Sequence, residues 1–153
     1  MSQVLIVDDD DLVRGMLGYL FSDAGFTVME AENGQEALEV LEASAPECMV
    51  LDLMMPKVDG YAVLRERRRR GLAESTRIVV LTAKSDTRDA VWCWELGADQ
   101  FLTKPFDPDA LLSVVRGLLD LTPAAAAAKR EEGIAEARRL DEIEAAFKVR
   151  RRR

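Results

Sequence analysis

The sequence predicts an α/β fold: a doubly wound, five-stranded parallel sheet with helices on both faces and a helical extension at the C-terminus. Short apolar runs rich in β-branched residues alternate with segments of helical periodicity. These runs are continuously apolar, as is typical of strands buried on both faces of a parallel sheet. The chain has 153 residues, 48% of them apolar, which suits one domain with a substantial core.

The first half of the chain contains two strand–helix units and a third strand. "QVLIVDD" predicts the first strand and "LVRGMLGYLFSDAGF" the first helix, which ends near Gly25. "TVMEA" predicts the second strand, "NGQEALEVLEASAP" a helix capped by Asn33, and "CMVLDLMMP" a third strand interrupted by Asp52. The apolar positions expected on the core face of the first helix are Leu12, Met16, Leu17, Leu20 and Phe21.

The second half continues the alternation. "GYAVLRERRRRG" predicts a helix that ends at Gly71, and "RIVVLTA" predicts the fourth strand. "DTRDAVWCWELGA" predicts a helix that ends at Gly97, and "QFLTKPF" predicts the fifth strand. "DPDALLSVVRGLLDL" predicts the fifth helix, with Asp107 as N-cap and Pro108 in its first turn. Because crossovers between parallel strands are right-handed, we expect these helices on both faces of the sheet.

Composition narrows the possible chemistry. The net charge is −7, with −10 carried by residues 1–122 and +3 by residues 123–153, so the acidic body disfavours nucleic-acid binding. There is no histidine, so catalysis or metal binding would rely on carboxylates, hydroxyls or lysine. Cys48 and Cys93 lie in apolar segments and are expected to be reduced core residues. With no signal peptide or long apolar span, the sequence predicts a cytoplasmic protein.

Polar residues stand at the ends of four predicted strands. Asp8 and Asp9 follow the first strand, and Asp52, Thr82 and Lys104 follow the third, fourth and fifth. Because parallel strands end on one edge of the sheet, we expect these side chains to converge there. Three neighbouring carboxylates need a cation to stay ionised together. Lys104 supplies one positive charge, and an all-oxygen ligand set favours Mg²⁺ as another.

The aspartates allow more than one interpretation. The carboxylate of Asp52, in an apolar segment, is either satisfied by neighbouring backbone groups or is a nucleophile. As a nucleophile it would attack phosphorus to give an acyl phosphate, while a metal and a lysine neutralise the phosphoryl oxygens. We interpret Asp8 and Asp9 as site residues, and Asp10 and Asp11 as cap and first-turn residues of the first helix.

Four motifs together resemble the receiver domain of bacterial two-component response regulators. They are "VDD" (7–9), "LDLMMPKVDG" (51–60), "VVLTA" (79–83) and "FLTKPF" (101–106). The resemblance covers about residues 3–121 and implies a flavodoxin-like sheet of strand order 2-1-3-4-5. It implies a receiver domain over residues 1–122 of the chemotaxis-regulator-like, single-domain type, followed by an Ala/Glu/Arg-rich helical extension over residues 123–153.

The resemblance also implies a role for each site residue. Asp52 would be the phosphoacceptor, Thr82 would bond a phosphoryl oxygen, and Lys104 would pair with the phosphoryl group. Phe101 would be the aromatic switch that fills the space vacated by Thr82, and the Lys104–Pro105 peptide bond would be cis. The implied Mg²⁺ ligands are Asp8, Asp9, Asp52 and the backbone carbonyl of Met54.

The implied function is that of a phosphoacceptor response regulator in a phosphorelay. A histidine kinase or phosphotransfer protein would donate the phosphoryl group, and the surface of helix 4, strand 5 and helix 5 would then change for protein–protein signalling. We expect no enzymatic activity beyond self-catalysed phosphoryl transfer and dephosphorylation. The expected partners are proteins, without direct DNA binding, and a homodimer through that surface or the C-terminal helix is a further expectation.

Two positions concern the lifetime of the phosphoryl group. In the family that the chain resembles, the residues two places after the phosphoacceptor and the threonine tune the attack of water. Here they are Met54 and Lys84. Because methionine does not orient water by a strong hydrogen bond, we expect slow self-dephosphorylation.

Two other functional classes are alternatives. An aspartyl phosphohydrolase similar to the haloacid dehalogenase group would use an Asp-x-Asp-x-Thr run, which Asp8 and Asp10 begin but Leu12 breaks. A purely structural interaction module would bind neither metal nor phosphate. The phosphohydrolase interpretation also lacks a cap domain.

The segment after Leu121 predicts a helix of about 25 residues, roughly 40 Å long, that begins at Pro123 and is interrupted at Gly133. It would dock on the domain or a second copy, bind a partner, or remain a solvated extension. We expect no helix-turn-helix output domain, because about 30 residues are too few for a separate core.

On the fourth helix, Trp94 is expected in the core, while Trp92 is either a partner contact or buried against another element.

Overall fold

The computed structural model describes residues 2–55, 58–83 and 87–151, without the side chains of residues 87–89. Its strands form one parallel sheet in the order β2-β1-β3-β4-β5, which confirms the predicted fold. The strands are β1 (Gln3–Val7), β2 (Thr27–Ala31), β3 (Cys48–Asp52), β4 (Arg77–Thr82) and β5 (Gln100–Thr103). The helices are α1 (Asp11–Asp23), α2 (Gly34–Ala43), α3 (Gly60–Arg70), α4 (Thr87–Glu95), α5 (Pro108–Leu119) and α6 (Pro123–Arg151).

The core consists of two apolar layers, one on each face of the sheet. Successive side chains of a strand point to opposite faces, so Leu5 and Val7 join one layer and Val4 and Ile6 join the other. The layer that contains Leu5 packs against α2, α3 and α4, and the layer that contains Val4 packs against α1 and α5. Both cysteines are fully buried and neither is in a disulfide, as expected.

Local signals fix the ends of several helices. The side chain of Asn33 accepts a hydrogen bond from the Glu36 amide at the start of α2, and Asp107 accepts one from the Asp109 amide at the start of α5. Gly71 ends α3 with φ = 64°, in the left-handed region where glycine carries no Cβ penalty. These ends agree with the predicted caps.

The predicted core face of α1 is partly wrong. Leu17 and Phe21 are fully buried, but Leu12 is 83% exposed and Met16 is 45% exposed. At about 100° per residue, Leu12 lies roughly 140° from Leu17 around the helix, so the two side chains cannot share one face.

Helix α6 continues through Gly133 to Arg151, so the predicted interruption does not occur. It packs against α4, where Trp94 is half-buried beside Gly133. Trp92, on another side of α4, is 54% exposed and makes an edge contact with Tyr61 at 6.1 Å between ring centroids. No helix in the described part of the chain has the length and apolar character needed to cross a membrane.

Candidate functional site

Three carboxylates converge at the carboxyl edge of the sheet. Asp8 and Asp9 follow β1 and Asp52 ends β3, and these strands are paired in register with Val7 beside Leu51. One carboxylate oxygen from each aspartate lies within 4.8 Å of the others. Asp8 and Asp52 are buried, whereas Asp9 is exposed, so the cluster is open to solvent on one side.

Lys104 reaches this cluster from the end of β5. Its Nζ lies 3.3 Å from Asp8 Oδ2 and 3.3 Å from Asp52 Oδ2. The Lys104 amide donates a 2.7 Å hydrogen bond to the Thr82 carbonyl, which ties the residue to the end of β4. The Lys104–Pro105 peptide bond is cis, as the resemblance implies.

Backbone amides hold the two buried carboxylates. The Asp10 amide donates to Asp8 Oδ1 at 2.9 Å, and the Met54 amide donates to Asp52 Oδ1 at 3.0 Å. In each aspartate the other oxygen, Oδ2, contacts Lys104. Both carboxylates are therefore oriented by the chain itself, with their oxygens directed toward a shared space.

The electrostatic balance of the site is unfavourable to the charge of Asp52. Burial raises the pKa of Asp52 above its ordinary value, and the Met54 amide and Lys104 oppose this while Asp8 adds to it. Burial lowers the pKa of Lys104, but Asp52 and Asp8 outweigh it, so the net shift is upward and the amine stays charged. Three carboxyl groups face one lysine, so acidic groups outnumber the basic one in the cluster.

The residues present fit a hard divalent cation. The donor atoms are all carboxylate oxygens, and they lie close enough together to bind one ion. The positive charge of such an ion would balance the excess of acidic groups. Asp8, Asp9 and Asp52 supply these donors. The structure gives Met54 a role through its amide, on Asp52, while the part predicted for its carbonyl stays a prediction.

The two predicted switch residues lie beside the site at different depths. Thr82 is fully buried at the end of β4, one residue beyond the Asp52–Leu81 pairing. Phe101 pairs with Val80 in the register of β4 and β5, and its half-buried ring packs against the core. Lys84, the second position predicted to affect the phosphoryl lifetime, lies outside the described residues.

Gly60, the last residue of the motif at 51–60, supports the site although no role was predicted for it. A Cβ at Gly60 would stand 2.6 Å from the Asp52 carbonyl oxygen and 2.7 Å from Leu53 Cα. Glycine therefore lets α3 begin directly against the end of β3. The Asp-Gly pair at 59–60 was the available signal, because Asp59 also caps α3 by accepting from the Ala62 amide.

Comparison with known proteins places these features in a family. Residues 4–116 match the model of the response regulator receiver domain. The chain is 40% identical over 117 residues to a probable transcriptional regulator, ycf27, of Porphyridium aerugineum, covering 76% of this chain and 48% of that protein. It is 38% identical over 124 residues to the alkaline phosphatase synthesis transcriptional regulatory protein PhoP of Bacillus subtilis, covering 81% and 51%.

A solved structure is similar over the same region. The response regulator protein TrrA of Thermotoga maritima, in complex with Mg²⁺-BeF, is 32% identical with a TM-score of 0.67, covering 76% of this chain and 98% of that one. The curated relatives are longer, and the chain spans about half of the length of those it matches. These matches do not confirm the chemotaxis-regulator-like, single-domain type.

The relatives overturn the expected set of partners. We expected proteins alone, without direct DNA binding, because the body of the chain is acidic. Two relatives that each match over three quarters of the chain, ycf27 and PhoP, are named as transcriptional regulators, which contradicts that expectation. The physical reason is that the net charge of one segment describes the electrostatics of that segment only.

Proposed function

Because the chain belongs to the response regulator receiver domain family, we propose that it is the phosphoacceptor of a two-component phosphorelay, with Asp52 as the residue that becomes phosphorylated. The observation that carries this proposal is the placement of Asp52. Its carboxylate is buried, held by the Met54 amide, and shares Lys104 with Asp8. A carboxylate placed in this way resembles a prepared nucleophile more than a structural group.

In the proposed reaction, a carboxylate oxygen of Asp52 bonds to phosphorus while the bond between phosphorus and a histidine nitrogen of the donor kinase breaks. The Lys104 ammonium, within reach of Asp52 Oδ2, pairs with the phosphoryl oxygens as they transfer. Mg²⁺, held by Asp8, Asp9 and Asp52, would supply neutralisation of the phosphoryl charge. Phosphoryl transfer depends mainly on such positioning and charge neutralisation.

The phosphoryl group would then act as a switch. It brings about −1.5 to −2 charges and three acceptor oxygens in place of the single negative charge of the carboxylate. The Thr82 hydroxyl, at the end of the adjacent strand, would bond one of these oxygens, and Phe101 would rotate into the vacated space. The surface of α4, β5 and α5 would change as a result. The group favours one of two existing states, and a shift from 1:99 to 99:1 requires about 5.5 kcal/mol of preference.

The proposed output is control of transcription in the cytoplasm. It is supported by the names of the relatives, ycf27 and PhoP, which match across the segment that contains the phosphoacceptor site. In this proposal the chain turns over no substrate and catalyses only its own phosphorylation and dephosphorylation. Transcript profiles of cells that carry the wild type or Asp52→Asn should differ in a defined set of genes, and identical profiles would contradict this output.

The test of the phosphoacceptor role is incorporation of ³²P from radiolabelled acetyl phosphate. We expect stoichiometric, acid-stable and base-labile labelling of the wild type in Mg²⁺, and none after EDTA treatment. Asp52→Asn should remove the label, whereas Asp23→Asn, at the exposed end of α1, should keep it. Labelling of Asp52→Asn, or labelling that is indifferent to EDTA, would show that the proposal is wrong.

A further inference from the structure

Helix α6 approaches α4 so closely that one contact requires glycine. A Cβ at Gly133 would stand 2.7 to 2.9 Å from three atoms of the Trp94 indole. On the same side of α6, Ala126 is 1% exposed and Ala137 is 6% exposed. Small residues at 126, 133 and 137 therefore form a strip that fits against the α4 surface.

Two ion pairs anchor α6 beside this strip. Arg130 contacts Asp99 at 2.6 Å, and Arg138 contacts Glu95. Asp99 is only 2% exposed, and its other carboxylate oxygen accepts a hydrogen bond from the Ile78 amide at 2.8 Å. The anchors on the body of the protein thus lie in one short segment, residues 94–99, which runs from the last two residues of α4 to the residue before β5.

That segment is connected directly to the phosphoacceptor site. β5 leads from Asp99, which holds Arg130, to Lys104, which contacts Asp52. Among the described residues, β5 is an edge strand that pairs in the sheet with β4 alone, so it has lateral support on one side. A phosphoryl group on Asp52 would draw Lys104 toward its oxygens. The movement of Lys104 would shift β5, which directly follows Asp99, the main anchor of α6.

Small side chains make up the fully buried part of the contact between α6, a helix of 29 residues, and the body. Ala126 and Ala137 are buried and Ile134 is half-buried, but the larger apolar side chains nearer the C-terminal end stay in solvent, with Ile143 55% exposed and Phe147 62% exposed. These exposed side chains add little apolar burial to the docked state. An allosteric coupling of ordinary size, which changes an equilibrium by about 5- to 150-fold, is therefore enough to shift it.

We propose that α6 is a reversible occupant of the α4 surface and that phosphorylation of Asp52 releases it. This inference rests on the proposed phosphoacceptor function. In the unphosphorylated protein, α6 covers Trp94 and pairs with Glu95 and Asp99. After phosphorylation, α6 separates from the body, and the uncovered α4 surface becomes accessible to a helix with the same features, small residues facing Trp94 and arginines facing the two acids.

The test is hydrogen–deuterium exchange of the full-length protein with and without Mg²⁺ and beryllofluoride. We expect amide exchange in residues 123–151 to rise by about fivefold or more when the phosphoryl mimic binds. Trp92 and Trp94, the two tryptophans of the chain, both lie on α4, so emission should shift to longer wavelength in the same titration. Unchanged or slower exchange in α6 would overturn the proposal.

A matched pair of glycine substitutions separates docking from helix propensity. Gly133→Ala places a methyl group against Trp94, whereas Gly117→Ala in α5 meets nothing within 4 Å. Both gain about the same helix propensity, roughly 1 kcal/mol. Without beryllofluoride, we expect fast amide exchange in α6 of Gly133→Ala. Gly117→Ala should exchange at the rate of the wild type. Equal behaviour of the two variants would mean that the Trp94 contact does not hold α6.

Mass spectrometry of the same samples after acetyl phosphate treatment distinguishes the two proposals. A phosphoryl adduct on Asp52 with an unchanged α6 would retain the phosphoacceptor function and reject the release of α6. Absence of the adduct in Mg²⁺ would reject both.

Discussion

At Asp52 the fold places a carboxylate where both burial and a neighbouring carboxylate oppose its charge. The side chain is 4% exposed, and Lys104 and the Met54 amide offset the penalty only in part, since the net pKa shift is upward. The residue that carries the proposed chemistry is therefore a source of instability in the metal-free protein. Functional carboxylates of this kind reduce stability locally, which other parts of the fold must offset.

This penalty predicts that Asp52→Asn stabilises the protein in EDTA. At pH 7 we expect the Tm to rise by about 2–4 °C, the shift that about 1 kcal/mol produces in a domain of this size. Because the pKa is raised in the folded state, the penalty is absent below the ordinary carboxyl value of 3.8 and develops as the pH rises through the raised value.

Calorimetry from pH 3 to pH 8 measures this difference. The Tm advantage of Asp52→Asn should vanish at the acid end and should narrow at pH 7 when Mg²⁺ is added to both proteins. Asp23→Asn, at the exposed end of α1, is the control. A Tm difference that persists unchanged to pH 3 would assign the effect to packing rather than charge.

Met54 predicts a long-lived phosphoryl group. Its side chain is 52% exposed next to Asp52 and offers only a weak acceptor to an attacking water. An amide at this position can orient water, so Met54→Asn should shorten the half-life of phosphorylated Asp52 by about tenfold, equivalent to about 1.4 kcal/mol in the barrier. Loss of ³²P from purified protein measures the rate. Met16→Asn, at a methionine of similar exposure on α1, should leave it unchanged, and equal half-lives of all three proteins would contradict the prediction.

At the scale of elements, the sequence predicted most of what depends on near neighbours. The caps at Asn33 and Asp107 and the turn at Gly71 involve groups within a few residues, so local chemistry decides them. The convergence of Asp8, Asp52 and Lys104 was predictable too, because parallel strands end on one edge. The packing of Gly133 was not, since its neighbour is Trp94, 39 positions earlier in the chain.

The start of α1 separates a structural aspartate from a functional one. Asp10 Oδ1 accepts from the Leu12 amide at 2.9 Å and the Val13 amide at 3.3 Å, which makes it the N-cap. Asp9 belongs to the carboxylate cluster. We expect Asp10→Ala to lose about 1 kcal/mol of stability with little change in ³²P labelling. Asp9→Asn should instead keep its stability and require at least about tenfold more Mg²⁺ for labelling, the change expected when a liganding charge is removed.

Urea unfolding and Mg²⁺ titration of labelling separate these outcomes. Asp10→Ser, which restores a capping oxygen, should recover most of the lost stability. If Asp10→Ala impairs labelling as strongly as Asp9→Asn does, the assignment of Asp10 to the cap alone is wrong.

At the scale of the whole molecule, the opposite net charges of the body and the tail correspond to ion pairs between them. The body carries −10 over residues 1–122 and the tail +3 over residues 123–153, and the structure brings two of the tail's arginines onto acids of the body. The two contacts differ in kind. Asp99 is 2% exposed in its pair with Arg130, whereas the side chains of Arg138 and Glu95 are 60% and 38% exposed. A solvated pair contributes little, but removal of one partner from a buried pair is costly.

We therefore expect Arg130→Ala to lower the free energy of unfolding by about 1–2 kcal/mol and Arg138→Ala by less than about 0.5 kcal/mol. The larger loss stays below the 3–5 kcal/mol typical of a broken buried pair, because Arg130 is itself 31% exposed and because undocking of α6 would return Asp99 to water. Urea unfolding of the single variants and of Arg130→Ala/Asp99→Asn measures the coupling. The substituted amide side chain still offers the Ile78 amide a carbonyl oxygen as acceptor, so the double variant should lose less than the sum of the single ones. Full additivity would mean that the charge of Asp99 does not hold α6 on the body.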